Sequence, residues 1–402
     1  MKFFVINSGS SSIKYQVIEM KTETVLATGL VERIGEDSGR LKNTFLPGSA
    51  TAREIVIEQP IADHYSGMML VINLLTDKEK GIIKDASEIA AIGHRVVHGG
   101  EDFRASTRIT PKVIEAIQRN IPLAPLHNPA NLDGIRVAMD IFPTVFQVAV
   151  FDTAFHQTMP PHAFMYALPY NLYEQDRVRR YGFHGTSHRF VAGECARLLG
   201  KPLGESNLIT VHLGNGCSVT AIENGQSIDT SLGMTPLEGL VMGTRCGDLD
   251  PAIHLFLKQN KGMDLEAIDQ MLNKESGLKG LCGMNDMRDI HQAIADGNKQ
   301  AATALDVATY RNRKYIGAYM AVLGRVDGIV FTAGIGENDD VVRAESLKGL
   351  EVFGVRLDAE KNSVRSKEAR CISTPDSSVK VFVIPTNEEL AIAREVANVL
   401  RG

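Results

Sequence analysis

Apolar and polar positions at the start of the chain alternate in the manner of a β-hairpin. An apolar run occupies residues 2–6, a small polar segment occupies residues 7–12, and apolar residues alternate with polar ones at 13–19. A period of two is typical of a half-buried strand. The pattern predicts two strands joined by a polar turn, followed by a third strand at residues 24–30.

The same pattern returns in the second half of the chain. An apolar strand at 208–212 precedes a small polar turn at 213–218, and a further strand follows at 219–223. Ser12 then corresponds to Ser218, about half the chain later. This internal similarity predicts two similar domains, each opening on a hairpin whose tip is rich in small residues.

The rest of the chain alternates between strand-like and helical segments. Strands are predicted at 89–97, 145–151, 328–332 and 379–384, and helices at 110–120, 131–142, 189–199, 301–323 and 388–400. Such alternation after antiparallel hairpins indicates an α/β fold, with mixed sheets covered by helices. We expect the boundary between the domains near residue 150.

Composition narrows the class of protein. The 402 residues are 44% hydrophobic and 23% charged, which is typical of a globular protein rather than a disordered one. The net charge of -5 argues against a nucleic-acid binder or a polybasic membrane binder. No apolar stretch approaches the roughly 18 residues of a membrane span. Five cysteines without a C-x-x-C pair exclude a disulfide framework and a structural zinc site, so we expect reduced thiols in the cytoplasm.

Both hairpin tips have the chemistry of a phosphate grip. Small side chains let backbone N–H groups approach a phosphate, and Lys14 is expected on the same face as Ser10 and Ser12. One such tip is also consistent with an ordinary tight turn. Two tips in matched positions favour a nucleotide cleft between two domains. There is no P-loop, no H-E-x-x-H motif and no G-x-G-x-x-G before a helix.

Further candidates lie in loops and at strand ends. Three glycine-rich segments, 93–100, 181–188 and 243–248, carry Arg or His, and arginine suits bidentate contacts with phosphate or carboxylate. Asp152 follows a predicted buried strand, where ligands of α/β sheets bind, although a capping role is the alternative. Glu388 opens the last predicted helix, where a carboxylate also stabilises the helix dipole.

These pieces in this order resemble the acetate kinase family, within the acetokinase group that also includes propionate and butyrate kinases. The matching segments are 7–14, 93–101, 125–129, 151–156, 182–187, 212–216, 243–245, 331–338 and 385–389. They extend from the first strand to the last helix. The resemblance implies two duplicated ribonuclease-H-like domains of the actin/hexokinase superfamily with a cleft between them. The first domain would be 1–150, completed by the helix 386–402, and the second, nucleotide-binding domain would be 151–385.

The resemblance also implies an activity. It implies reversible, ATP-dependent phosphorylation of acetate to acetyl phosphate and ADP by direct in-line transfer. The cofactor would be Mg²⁺, with Mn²⁺ as an alternative ion, and the enzyme would be a cytoplasmic homodimer without nucleic-acid or membrane partners. A propionate kinase of the same family is one alternative. A sugar or polyol kinase with Asp152 as base, and an actin-like ATPase, are two more distant ones.

Site residues follow from the resemblance by position. The catalytic group would be Arg95, Asp152, His184 and Arg245. The substrate-binding residues would be Asn7, Ser10, Ser12, Lys14, Val97, Leu126, Phe183 and Pro236. The ATP-binding residues would be Lys14, His212, Asn215, Gly216, Asp286, Arg288, Gly334, Ile335 and Asn338, and the metal ligands Asn7, Asp152 and Glu388. Met287 stands where the family often has Phe, and a base can still rest against this adaptable side chain.

Overall fold

The computed structural model describes residues 1–125 and 127–401, which form two compact units. The first unit consists of Met1–Gln157 together with Asn387–Gly402, and the second of Thr158–Thr386. Each unit contains one mixed β-sheet with helices against it. The predicted α/β class is therefore confirmed.

The first unit is built on an eight-stranded sheet. Its strands are β1 (Lys2–Gly9), β2 (Ser12–Glu19), β3 (Thr24–Glu32), β4 (Arg40–Phe45), β5 (Arg53–Glu58), β6 (Ile89–Val96), β7 (Thr107–Arg108) and β8 (Phe146–Phe151). They pair in the order β5-β4-β3-β2-β1-β6-β8-β7, and β6 is parallel to both β1 and β8. The predicted hairpin is confirmed, but its polar turn is shorter than predicted. Asn7 pairs with Lys14 inside the ladder, so only Ser10 and Ser11 connect the strands.

Four α-helices belong to the first unit. They are α1 (His64–Leu75), α2 (Pro111–Arg119), α3 (Asn128–Ile141) and the last helix of the chain, α15 (Glu388–Arg401). Thr110 caps α2 through its hydroxyl, and Pro111 occupies the first helical position, as the sequence predicts. The apolar face of α15 packs Ile392 and Val396 against Phe3 and Val148 of the sheet. The C-terminus of the chain is therefore part of the core of the first unit.

The second unit contains a six-stranded sheet and eleven α-helices within the described residues. The strands are β9 (Leu208–Leu213), β10 (Cys217–Glu223), β11 (Gln226–Thr230), β12 (Gly328–Thr332), β13 (Arg370–Cys371) and β14 (Lys380–Val383). The helices are α4 (Pro161–Phe164), α5 (Tyr170–Asp176), α6 (Gly185–Leu199), α7 (Ala252–Lys261), α8 (Leu265–Lys274), α9 (Gly277–Cys282), α10 (Met287–Ala295), α11 (Lys299–Leu323), α12 (Ala333–Asn338), α13 (Asp340–Leu347) and α14 (Ala359–Ser363). None of the helices in the described part of the chain has the length and apolar character to cross a membrane.

The two sheets share one strand order. The first contains the series β3-β2-β1-β6-β8 and the second the series β11-β10-β9-β12-β14. In each series the first three strands pair antiparallel. The fourth strand is parallel to the third, and the fifth is parallel to the fourth. The duplication predicted from the two hairpins is confirmed at the level of topology.

One segment folds differently from its local sequence pattern. The glycines after β12 favour a turn, but residues 333–338 form the short helix α12. Glycine weakens a helix without forbidding it. Asn338 closes this turn by donating from Nδ2 to the carbonyl of Gly334 at 2.9 Å.

Packing of α15 on β6 gives a test of the fold. A Cβ added at Gly93 would lie 2.6 Å from Ile392 Cγ2 and 2.8 Å from Val396 Cγ2. We expect Gly93→Ala to overpack this contact and lower the free energy of unfolding by about 1–3 kcal/mol, measured by urea titration with circular dichroism. The control is Gly193→Ala in α6, where a Cβ meets nothing within 4 Å. A Gly93→Ala variant as stable as that control would contradict the packing described.

Candidate active site

An ion pair between a half-buried arginine and a buried aspartate lies at the carboxyl ends of two neighbouring parallel strands in the first unit. Arg95 is near the end of β6, and Asp152 directly follows β8. Nε of Arg95 donates to both carboxylate oxygens at 3.1 Å, and its Nη2 donates to Oδ2 at 2.7 Å. Asp152 is only 1% exposed. Its charge raises the pKa of the Arg95 guanidinium, so this arginine is held charged and in a fixed orientation.

The first turn of α15 adds acidic side chains to this end of the first unit. Glu389 forms an ion pair with Lys14 of β2, and Lys14 pairs with Asn7 in the β1–β2 ladder. Glu388 is half-buried, and this burial raises its pKa, with Asp152 and Glu389 raising it further and Arg95 opposing the shift. The structure thus brings together five predicted positions: Asn7, Lys14, Arg95, Asp152 and Glu388. Ser10 and Ser12 lie at the adjoining hairpin tip.

Asp152 and Glu388 are the carboxylates that the sequence predicts as metal ligands. Within the described residues, no group of three His, Cys, Asp or Glu side chains makes a self-sufficient metal site. Magnesium at phosphoryl-transfer sites is usually held by one or two carboxylates together with substrate phosphates. The mutual repulsion of Asp152 and Glu388 fits that mode, because a cation beside both would relieve it.

Three imidazoles cluster in the second unit, and two of them contact the same serine. Ser218 Oγ lies 2.8 Å from His184 Nδ1 and 2.7 Å from His188 Nε2. The ring of His184 stacks on that of His212, with centroids 4.2 Å apart, and His212 Nδ1 lies 2.9 Å from Ser187 Oγ. This network fixes the rotamer of His184.

The backbone of His184 is also unusual. His184 precedes α6 with φ of 57° and ψ of 22°, a left-handed conformation that a residue with a side chain rarely adopts. Such strain is typical of functional sites, where the surrounding structure compensates for it. Here the compensation comes from the contacts of the imidazole with Ser218 and His212.

Arg245 lies beside this cluster without a counter-charge. Its Nη1 donates to the carbonyl of Pro236 at 3.0 Å, and it has no carboxylate partner within residues 1–125 and 127–401. Burial lowers the pKa of its guanidinium. A Cβ at Gly216 would lie 3.2 Å from His184 Nε2 and 3.6 Å from Arg245 Nη1. The glycine therefore lets the β9–β10 tip approach both side chains, and the unbalanced charge favours an anionic ligand there.

A cavity of about 570 Å³ in the second unit collects most of the predicted nucleotide residues. Its wall includes Asn215, Asp286, Arg288, Gly334, Ile335 and Asn338. Asp286 caps α10 and accepts hydrogen bonds from Arg288, which lower the pKa of Asp286 to about 2. His212 and Gly216 lie at the imidazole cluster and do not line this cavity, and Lys14 belongs to the first unit. His291, Asp339 and Arg365 also line the cavity, and sequence reasoning missed them because none lies in a glycine-rich motif.

The four residues predicted to surround the acyl group are not in one unit. Val97 is 6% exposed in the first unit, and its N–H donates to Asn131 Oδ1 at 3.0 Å. Phe183, 2% exposed, and Pro236 belong to the second unit. Leu126 lies outside the described residues.

Burial of Glu388 predicts a pH dependence of stability. The folded state raises this pKa above its ordinary value of 4.5, so the folded chain binds the proton more tightly than the unfolded chain. Stability is then lost as the pH rises from 4.5 through the folded-state pKa. We expect the thermal stability that Glu388→Gln gains over the unmodified chain to increase as the pH rises above 4.5, measured by calorimetry over a pH series. Glu266→Gln, which replaces an exposed carboxylate in the first turn of α8, is the control and should show no such gain.

A family model described as the acetokinase family matches residues 2–394. An acetate kinase of Desulfotalea psychrophila is 63% identical over 405 residues, with 100% of both chains covered. Among solved structures, the acetate kinase of Porphyromonas gingivalis is 45% identical with a TM-score of 0.94, and 99% of each chain is covered. A propionate kinase from Francisella tularensis is 42% identical with a TM-score of 0.92, again with 99% of each chain covered.

These structural neighbours and the duplicated strand order confirm the predicted actin/hexokinase class of fold. The family match spans nearly the whole chain, and the similarity to acetate kinases extends over its full length. The chain therefore belongs to the acetokinase family.

Proposed function

We propose that this chain transfers the γ-phosphoryl group of ATP to acetate, giving acetyl phosphate and ADP in a reversible reaction. The observation that carries the proposal is Arg245, a partly buried guanidinium beside His184 with no carboxylate partner in the described part of the chain. Such a charge is satisfied by an anionic ligand. The relatives named acetate kinase, up to 63% identical, support acetate as the acceptor.

Acetate is ionised at neutral pH, so its attacking oxygen needs no general base. Catalysis then depends on positioning and on neutralising the charge of the group in transfer. The proposal assigns this work to Arg95, Asp152, His184 and Arg245. Arg95 and Arg245 supply positive charge, His184 donates a hydrogen bond, and Asp152 holds the Arg95 fork in place.

Other roles follow the predicted positions. The first domain, 1–150 with the helix 386–402, would handle the acyl and phosphate groups, through Asn7, Ser10, Ser12 and Lys14. The second domain, 151–385, would hold ATP through the wall of its cavity together with His212 and Gly216. Val97, Leu126, Phe183 and Pro236 would contact the methyl group of acetate.

Magnesium is proposed as the cofactor, with manganese as an alternative ion. Asp152, Glu388 and Asn7 would hold it, and a bound Mg²⁺ neutralises charge on the β- and γ-phosphates of the nucleotide. The enzyme is proposed to act in the cytoplasm as a homodimer, which the family resemblance supports.

Propionate as the preferred acceptor is not favoured. The curated acetate kinases reach 63% identity, whereas the propionate kinase structure is 42% identical. A sugar or polyol kinase would need a general base to accept the hydroxyl proton. Both oxygens of Asp152 accept hydrogen bonds from Arg95, which makes this carboxylate a poor base. The full-length match to acetate kinases also disfavours an actin-like ATPase.

Trapping acyl phosphate with hydroxylamine tests the proposed reaction. The purified chain is incubated with ATP and magnesium, and with acetate, propionate, butyrate or no acid. We expect acyl hydroxamate with acetate above all other acids, because the proposed acyl residues, Val97 among them, would leave little room for a further methylene. Release of ADP without hydroxamate from any acid would overturn the acid kinase proposal.

Replacing Arg245 tests the observation on which the proposed function rests. Loss of a phosphoryl-clamping arginine costs about 10³-fold or more in rate, so Arg245→Ala should lose at least that much kcat, and Arg245→Lys should retain more. Arg197→Ala is the control, because Arg197 is exposed on α6 and pairs only locally with Glu194. Near-normal turnover of a folded Arg245→Ala chain would show that Arg245 does not act on the phosphoryl group.

Replacing Val97 with a smaller residue tests how large an acid the proposed acyl site accepts. Discrimination against one methylene is about 10- to 200-fold, so Val97→Ala should raise kcat/KM for propionate relative to acetate by roughly tenfold. Val113→Ala is a matched control, since Val113 is 7% exposed against 6% for Val97 and packs in the core on α2. If the ratio of kcat/KM for propionate to that for acetate changed equally in both variants, Val97 would not contact the acyl group.

A further inference from the structure

A histidine–aspartate pair forms part of the cavity wall in the second unit. His291 lies on α10, and Asp339 is the N-cap of α13. His291 Nε2 is 2.7 Å from Asp339 Oδ2, and Asp339 Oδ1 accepts from the N–H of Val342 at 2.9 Å. Each carboxylate oxygen therefore has one fixed partner, and the imidazole is held in one orientation. Neither side chain has a role in the predicted site.

The pair determines the chemistry of the other ring nitrogen. A carboxylate only accepts hydrogen bonds, so Nε2 of His291 carries the proton. In the neutral imidazole, Nδ1 is then an acceptor. Nδ1 has no hydrogen-bond partner within the described residues, and the His291 side chain is 32% exposed where it lines the cavity. The cavity is thus supplied with one oriented acceptor.

Met287 indicates which part of a ligand would lie beside this acceptor. Met287 lies one helical turn before His291 on α10, so both side chains are on the same face of the helix, and both line the cavity. Met287 is apolar and 8% exposed, and it stands where the family resemblance places the base of the nucleotide. A base that rested on Met287 would have the imidazole of His291 one helical turn away on the same face of α10.

We propose that His291, oriented by Asp339, is a specificity-determining residue that recognises the group at position 6 of the purine base. This inference rests on the proposed use of a purine nucleotide as phosphoryl donor. The 6-amino group of adenine donates an N–H, whereas the 6-oxo group of hypoxanthine or guanine accepts. An acceptor at Nδ1 therefore favours adenine nucleotides over both others.

The experiment compares ATP with ITP as donors to acetate. His291→Leu removes the acceptor, and the ratio of kcat/KM for ATP to that for ITP should fall about 2- to 12-fold, the range of one neutral hydrogen bond. In Asp339→Asn, the amide oxygen can still cap Val342 while the amide N–H₂ faces Nε2. The imidazole then carries its proton on Nδ1, and the preference should shift toward ITP.

A purely structural role predicts a different result, because loosening the cavity wall would weaken both nucleotides alike and leave the ratio unchanged. Asp358→Asn is the matched control, since Asp358 caps α14 in the same way but does not line the cavity. The inference is overturned if neither variant changes the ATP to ITP ratio relative to this control.

Binding of ADP and IDP, measured by calorimetry without any acid, separates this inference from the proposed function. A chain that binds ADP more tightly than IDP but forms no acetyl phosphate would contradict the function and leave the base selectivity intact. A chain that forms acetyl phosphate with unchanged selectivity in both variants would contradict the inference alone. Binding of neither nucleotide would overturn both.

Discussion

Parallel pairing beside an antiparallel hairpin is the constraint on which the rest of this structure depends. In a parallel sheet the carboxyl ends of neighbouring strands meet at one edge, and there ligands of α/β folds bind. The β6 and β8 strands bring Arg95 and Asp152 to that edge in the first unit. In the second unit β9 and β12 are likewise parallel; His212 lies near the end of β9, and the helix α12 directly follows β12. One strand order thus positions both sets of candidate residues.

The two arginines of the candidate site differ in how their charge is balanced. Arg95 has a bidentate carboxylate partner, whose charge raises its pKa, whereas desolvation lowers the pKa of Arg245. A desolvated cation without a carboxylate to balance its charge costs free energy in the folded chain. Glu388 carries a similar cost as an anion, because burial disfavours its charged form and raises its pKa. These costs are consistent with residues positioned for ligands rather than for stability.

Sequence patterns predicted the strands and helices whose periodicity comes from a buried face. The strand at 328–332 matches β12 residue for residue, and the last helix begins at Glu388 as predicted. The hairpin turn at 7–12 was predicted too long, because polar residues such as Asn7 and Ser8 are also found within strands when the ladder satisfies their backbone. The helical nature of 333–338 could not be seen, because its glycines carry a turn signal.

Some residues of the candidate site can be predicted from local sequence patterns, and others cannot. Arg95 and Asp152 were predictable because they stand at strand ends and in a family motif, and their ion pair is seen only in three dimensions. His291 and Asp339 are 48 residues apart, and neither α10 nor α13 carries a motif that would join them. Only the packing of the two helices around one cavity brings their side chains together. Long-range pairs of this kind lie beyond local patterns.

The ion pair Asp286–Arg288 on the cavity wall and the ion pair Arg95–Asp152 at the strand edge differ in how much solvent reaches them. Asp286 and Arg288 pair with each other two residues apart, and the Arg288 side chain is 89% exposed. Water screens an exposed pair of this kind, so exchanging it for contacts with a ligand costs little. The Arg95–Asp152 pair is buried at a strand edge, and breaking it would leave a buried charge uncompensated, a cost of about 3–5 kcal/mol. The fold therefore holds the Arg95 side chain fixed at the strand edge, whereas Arg288 on the cavity wall can exchange its partner at little cost.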